Sequence, residues 1–122
     1  MQRILVADDD PGVRQLLSTV LELLGGYQVV EAVNGSQALL LAQVEQPVLV
    51  ILDRRMPGLT GDEVCSELRR HPATSALPVV MISTDSGDDV QGYAFLAGAN
   101  AFLQKPFHPS QLLETVNQLL SK

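Results

Sequence analysis

The stretch that decides the fold is Val48-Leu49-Val50-Ile51-Leu52-Asp53-Arg54-Arg55-Met56-Pro57-Gly58-Leu59-Thr60-Gly61. Five apolar residues run straight into one carboxylate, Asp53, and Met56-Pro57-Gly58 then breaks the regular structure. An unbroken run of Val, Ile and Leu reads as a strand buried on both faces, as in parallel sheets. Asp53 therefore sits where a buried strand surfaces. In open α/β sheets that is the carboxyl edge, where ligands bind.

Working outward, the same unit recurs. Ile4-Leu5-Val6-Ala7 is a short apolar strand that ends in Asp8-Asp9-Asp10. Asp10 is placed to cap a helix whose first position is Pro11, where the missing N–H costs nothing. Val13, Leu16, Leu17, Val20 and Leu24 follow helical spacing, and Gly25-Gly26 stops that helix. Tyr27 to Val33 reads as the second strand, and Asn34-Gly35 turns the chain. Ser36 is expected to cap an apolar helix over about Gln37 to Gln46, which Pro47 ends. Beyond Asp53, a helix is expected over about Gly61 to His71, with Val64 and Leu68 inward and His71-Pro72 as its stop. Pro78 to Ile82 is the fourth strand and delivers Ser83. The next helix is expected over about Ser86 to Ala97, with Asp88 and Asp89 favourable in its first turn. Ala101 to Gln104 is the fifth strand and delivers Lys105-Pro106. The last helix is expected over about Pro109 to Leu120. Five strand-then-helix units with short connections predict a doubly wound (βα)5 domain with a parallel sheet and helices on both faces.

Bulk properties narrow the function. The chain has 122 residues, enough for one domain with one core. Its formal charge of −6 argues against a nucleic-acid groove. No apolar run approaches the roughly 18 residues of a membrane span. The N-terminus lacks a cleavable signal pattern, and the single cysteine, Cys65, forms no disulfide framework, so a cytoplasmic protein is expected. Cys65, beside Val64, reads as a packing residue rather than a nucleophile. His71 and His108 show no metal-ligand spacing and read as solvated residues at helix ends.

Four strands end in chemically distinct polar groups: Asp8 and Asp9, Asp53, Ser83, and Lys105. In such a sheet these ends can converge on one hollow. Carboxylates that close repel one another, and alone they would raise each other's pKa. A hard divalent cation such as Mg²⁺ removes the conflict with oxygen ligands. A carboxylate nucleophile flanked by metal, ammonium and hydroxyl is suited to accept and hold a phosphoryl group. Singly, each piece reads more simply as a cap, a turn or a solvated lysine; together on four strands they point to a site.

The motifs Ile4-Leu5-Val6-Ala7-Asp8-Asp9, Leu52-Asp53-x-x-Met56-Pro57-Gly58-x-x-Gly61, Val80-Met81-Ile82-Ser83-Thr84 and Gly98-Ala99-x-x-x-x-x-Lys105-Pro106-Phe107 resemble those of response-regulator receiver domains of two-component signalling, over the whole chain. The resemblance implies a single receiver domain over residues 1–122, with a flavodoxin-like sheet of order 2-1-3-4-5. It implies that Asp53 is the phosphoacceptor, supplied by a sensor histidine kinase or a histidine phosphotransfer protein. It implies Mg²⁺ ligation by Asp9, Asp53 and the backbone carbonyl of Arg55, with Asp8 acting through water. Lys105, Ser83 and Thr84 would meet the phosphoryl group, and Ser83 and Phe102 would form the switch. Phe102 has a plainer reading as a strand aromatic in the core. An output domain or partner would be controlled through the face of the fourth helix, fifth strand and fifth helix. The resemblance leaves open whether the chain is a stand-alone regulator or a receiver from a longer protein.

Two features speak for this chain itself. Arg55, two residues past the acceptor, and Asp85, two past Ser83, would flank the mouth of the site and could pair across it. Such a pair could lengthen the life of the phosphoryl group by obstructing water. Leu40, Leu41, Val44, Phe95 and Leu96 cannot all face the sheet, so a monomer or a weak apolar dimer is expected. Three other readings of the carboxyl edge are weaker. Asp8-x-Asp10 resembles the opening motif of haloacid-dehalogenase-type phosphatases, but that leaves Asp53-x-x-Met56-Pro57-Gly58 unexplained. A receiver-like binding module that never meets phosphate would not need all five site residues. A flavin phosphate would be repelled by Asp8-Asp9-Asp10.

Overall fold

The computed structural model describes residues 2–85 and 88–121. Five parallel strands form one sheet: β1 (Arg3–Ala7), β2 (Gln28–Ala32), β3 (Leu49–Asp53), β4 (Val79–Ser83) and β5 (Ala101–Gln104), in the order β2-β1-β3-β4-β5. The helices are α1 (Pro11–Thr19), α2 (Gly35–Glu45), α3 (Gly61–Arg70), α4 (Asp88–Leu96) and α5 (Pro109–Leu120). The expected start of the fourth helix, Ser86, lies outside the described residues. The flavodoxin-like architecture and its strand order are those the sequence implied.

Alternation along the central strands divides the core into two layers. Leu5, Ala7, Val50, Leu52, Val79 and Met81 pack with Ala38 and Ala42 of α2, Val64, Cys65 and Leu68 of α3, and Ala94 of α4. Ile4, Val6, Ile51, Val80 and Ile82 pack with Leu17 of α1 and with Leu112 and Val116 of α5. Every residue of β3 and β4 is buried, which is why these strands read as continuous apolar runs rather than as alternation.

Helix ends depart from the sequence reading in instructive ways. The first helix does not continue as α-helix to Leu24; Val20–Leu24 forms a π-helical turn, closed by Gly25 N–H donating to the Val20 carbonyl at 3.2 Å. The wider turn buries Val20 and Leu21 and leaves Leu24 exposed, so Leu21 takes the inward place expected of Leu24. A side chain at Gly25 would collide with the Leu21 carbonyl, 2.8 Å from an ideal Cβ. The second helix is capped by Asn34, not Ser36: the Asn34 side chain accepts from Gln37 N–H at 2.8 Å, and α2 starts at Gly35. The third helix begins with a reciprocal Thr60–Glu63 capping box and ends at Arg70 rather than His71. His108 is no mere solvated end residue. Its Nδ1 accepts from Ser110 N–H at 3.2 Å, so it caps α5 ahead of Pro109.

One side chain clamps the amino edge of the sheet. Arg69 Nη1 donates to the Leu77 carbonyl at 2.7 Å, and its Nη2 donates to the Gly98 carbonyl at 2.7 Å and to Asn100 Oδ1 at 3.0 Å. Asn100 Oδ1 also accepts from Val79 N–H at 2.8 Å, where β4 begins. The end of α3, the start of β4 and the turn before β5 are thus held by one guanidinium. On the outer surfaces Leu40, Val44, Phe95 and Leu96 are exposed, whereas Leu41 packs against the core.

Candidate phosphoryl-acceptor site

Strand order brings β1, β3, β4 and β5 side by side, and their carboxyl ends supply the site. Asp53 is the last residue of β3 and stands opposite Ile82 of β4. The turn that follows needs Gly61: an ideal Cβ there would lie 2.5 Å from the Asp53 carbonyl and 2.9 Å from Arg54 Cα. That contact lets the start of α3 return onto the end of β3, where Gly61 N–H donates to the Arg54 carbonyl at 2.9 Å.

Asp8 and Asp53 are buried and Asp9 is exposed. One carboxylate oxygen from each of the three lies within 4.8 Å of the others. Lys105 Nζ reaches between the two buried acids, 2.9 Å from Asp8 Oδ2 and 3.5 Å from Asp53 Oδ1. The second Asp8 oxygen accepts from Asp10 N–H at 2.9 Å. Burial first, then the Asp8 charge, push Asp53 up to about 6, against the opposing pull of Lys105 and the Arg55 N–H. Burial would lower the Lys105 ammonium, but Asp8 and Asp53 outweigh it and hold its pKa above the usual lysine range. One ammonium thus leaves the carboxylates under-neutralised. Three carboxylates with oxygens within 4.8 Å of one another, opposed by one ammonium, fit a hard divalent cation such as Mg²⁺.

Ser83 is buried at the end of β4, and its Oγ accepts from Asp85 N–H at 2.9 Å. Thr84 is exposed and, with Val13, Leu16, Lys105, Pro106 and Phe107, lines an apolar cavity of about 320 Å³ beside the acids. Phe102, opposite Met81 in the sheet, is half-buried against the layer that carries α2 to α4. Arg55 Nε lies 2.7 Å from Asp85 Oδ2, and that hydrogen bond holds the Asp85 carboxyl below the usual range and raises the guanidinium.

Sequence reading missed Arg54. Its Nε meets Asp62 Oδ2 at 3.1 Å and its Nη1 meets Asp85 Oδ2 at 3.2 Å, so two guanidiniums share one oxygen of Asp85. It also missed Arg14, whose Nη1 donates to the Asp8 carbonyl at 2.8 Å. Neither has a signal in the sequence: the Asp62 and Asp8 partners lie 8 and 6 residues away with no regular spacing, and Asp85 and Glu31 come near only through the sheet. Two rival chemistries lose support. The Asp10 side chain accepts from Gly12 N–H at 2.8 Å as a helix cap, which occupies the second acid of the phosphatase motif. Burial pushes the Cys65 thiol up to about 11, which leaves no thiolate nucleophile near neutral pH.

Comparison with known proteins gives the same direction. The family described as "Response regulator receiver domain" matches residues 4–117. The chain is 40% identical over 124 residues to the DNA-binding dual master transcriptional regulator RpaA of Synechocystis, covering all of this chain and 50% of that protein. It spans about half the length of several other curated relatives as well. A putative response regulator from Chloroflexus aurantiacus superposes with a TM-score of 0.94 at 35% identity, covering 99% of this chain and 98% of that one. The receiver domain of a Pseudomonas aeruginosa sensor histidine kinase superposes with a TM-score of 0.91 at 25% identity, covering 99% and 98%, and holds a magnesium ion in its active-site cleft. Among the described residues no helix is long and apolar enough to cross a membrane. With its fold, strand order and matched residues, this chain belongs to the receiver-domain family of two-component response regulators.

Proposed function

We propose that Asp53 accepts a phosphoryl group from a phosphohistidine of a sensor histidine kinase or histidine phosphotransfer protein. The observation that carries this reading is the Lys105 ammonium set between Asp8 and Asp53, with three carboxylates close enough to share one cation. Asp9, Asp53 and the Arg55 backbone carbonyl would hold Mg²⁺, and Asp8 would act through a water. Bound there, the ion supplies the compact positive charge that the carboxylates and incoming phosphoryl oxygens require.

In the transfer, an Asp53 carboxylate oxygen forms the new bond to phosphorus while the phosphorus–nitrogen bond of the donor breaks, its electron pair returning to the imidazole. Lys105 would pair with a phosphoryl oxygen, and Thr84, exposed just after β4, would meet the same group. Ser83 supplies the switch. Its Oγ accepts from Asp85 N–H, which leaves its O–H free to donate to a phosphoryl oxygen; a shift of Ser83 toward that group would carry Asp85 with it. Phe102 would then turn inward, and the face of α4, β5 and α5 would present a changed surface to an output domain or partner. This is a two-state element biased by a local gain of roughly −1.5 to −2 charge.

The direct test is incubation with phosphoramidate, a small donor with a phosphorus–nitrogen bond, followed by intact mass measurement. One added phosphoryl group is expected, dependent on Mg²⁺ and absent in Asp53→Asn. Equal labelling of that variant would refute Asp53 as the acceptor.

A further inference from the structure

We propose that Arg14 is a positioning residue for the acidic pair, holding the Asp8–Asp9 peptide so that Asp9 presents its carboxylate to the divalent cation. The inference rests on the metal reading given above.

The three acids are not held alike. The Asp8 carboxylate is fixed by Lys105 and by Asp10 N–H. Asp53 faces Lys105 Nζ and Arg55 N–H, each at 3.5 Å. The Asp9 side chain is exposed and has no hydrogen bond or ion pair among the described residues. No contact of its own anchors it, so the space its carboxylate can reach is set by where its backbone stands. That backbone is tied on the Asp8 side at two points. Asp8 N–H donates to the Ala32 carbonyl at 3.2 Å, and the Asp8 carbonyl accepts from Arg14 Nη1 at 2.8 Å.

Arg14 is itself held. Its Nε meets Glu31 Oε1 at 3.1 Å, and Ser18 Oγ–H donates to the other Glu31 oxygen at 3.0 Å. Ser18 is buried and lies one helical turn beyond Arg14. Only 15% of the Arg14 side chain is exposed. The planar guanidinium addresses a carbonyl with one nitrogen and a carboxylate with another, a geometry that a lysine ammonium on a flexible stem cannot reproduce. The pairing also answers an electrostatic problem. A bare guanidinium beside a divalent-cation site would repel the ion. Glu31 cancels that charge, so the backbone is pinned without a net penalty to the metal.

Two titrations separate positioning from a merely structural role: Mg²⁺ affinity by calorimetry, and urea unfolding in EDTA, on the full chain. Arg14→Met should weaken Mg²⁺ binding about tenfold, the low end of what loss of an outer partner costs. Glu31→Gln keeps the carbonyl contact but strands the guanidinium, so its deficit should shrink as salt rises through the range where screening acts over about 10 Å. The Arg14→Met deficit should not. Arg14→Lys, which keeps the charge and most of the stem, should fold like wild type and bind Mg²⁺ with intermediate affinity. Wild-type affinity in Arg14→Lys and Arg14→Met, with only the unfolding midpoint lowered, overturns the proposal. Loss of Mg²⁺ binding in Asp53→Asn together with unchanged binding in both Arg14 variants would leave the metal reading intact and sink this one alone. If wild type binds no Mg²⁺, both fail.

Discussion

Replacing Asp53, the proposed acceptor, is expected to make the metal-free protein more stable. Asp53 is buried beside Asp8, and its pKa stands at about 6 against an ordinary 3.8. Between those values the folded chain binds more protons at this position than the unfolded chain does. Stability therefore falls as pH rises through that window, and stays low above it. At 1.36 kcal/mol per pKa unit the full shift corresponds to about 3 kcal/mol, and roughly 1–3 kcal/mol is a fair range for one member of an interacting pair. Asp53→Asn removes the charge without changing shape. Lys105 keeps its closer contact, Asp8 at 2.9 Å. The variant should thus gain roughly 1–3 kcal/mol over wild type at pH 7.5 in EDTA. The gain should diminish toward pH 4.5, and saturating Mg²⁺ should stabilise wild type more than the variant. The chain has no tryptophan, so far-UV circular dichroism in urea is the suitable assay. An Asp53→Asn variant no more stable than wild type at pH 7.5 in EDTA would refute the claim that the site is electrostatically strained.

Other consequences are as direct. Arg69→Met orphans the partly buried carbonyls of Leu77 and Gly98 and should lose about 2–4 kcal/mol by urea unfolding, with Arg69→Lys recovering little. Gly61→Ala places a methyl group against the Asp53 carbonyl and Arg54 Cα, so it should lower both the unfolding midpoint and the rate of phosphorylation by phosphoramidate. After phosphorylation, Arg55→Ala and Asp85→Ala should each lose the phosphoryl group faster than wild type; equal decay rates would remove the proposed shield. Tyr93, Phe95 and Leu96 are exposed on α4, and sedimentation should show a monomer or a weak dimer that a phosphoryl mimic strengthens. A monomer in both states counts against an apolar interface there.

Much of this molecule was legible before its coordinates. Strands buried on both faces cannot be mistaken for amphipathic helices when they run Ile4 to Ala7 or Leu49 to Leu52 into a polar residue. Their carboxyl ends, taken with parallel connectivity, place Asp8, Asp9, Asp53, Ser83 and Lys105 at one edge. What escaped was set by three-dimensional company rather than by local preference. Val20 to Leu24 carries the same apolar spacing whether its turn is α or π; packing on β2 and α5 decides, through Gly25 and Leu21. Asn34 and Ser36 are both good caps, and the lack of space for a side chain at Gly35, against Leu59, favours the earlier start. Arg54 drew no reading from the sequence, because its partners Asp62 and Asp85 lie 8 and 31 residues away. Arg14 drew no reading either, because Glu31 reaches it only when β2 lies beside β1.

The shared oxygen of Asp85 has a consequence for how such a switch can diversify. Because Arg54 Nη1 and Arg55 Nε both contact Asp85 Oδ2, replacing the exposed Arg55 still leaves the loop after β4 tethered to the turn after β3. If the Arg55–Asp85 pair shields the phosphoryl group as proposed, exchange of the outer arginine would reset the clock of the signal. The inner one would still hold Asp85 through its own contact at 3.2 Å. Timing and posture are thereby written on adjacent residues but are separately editable, so a duplicated copy could acquire a new tempo by one substitution without first having to relearn its resting shape.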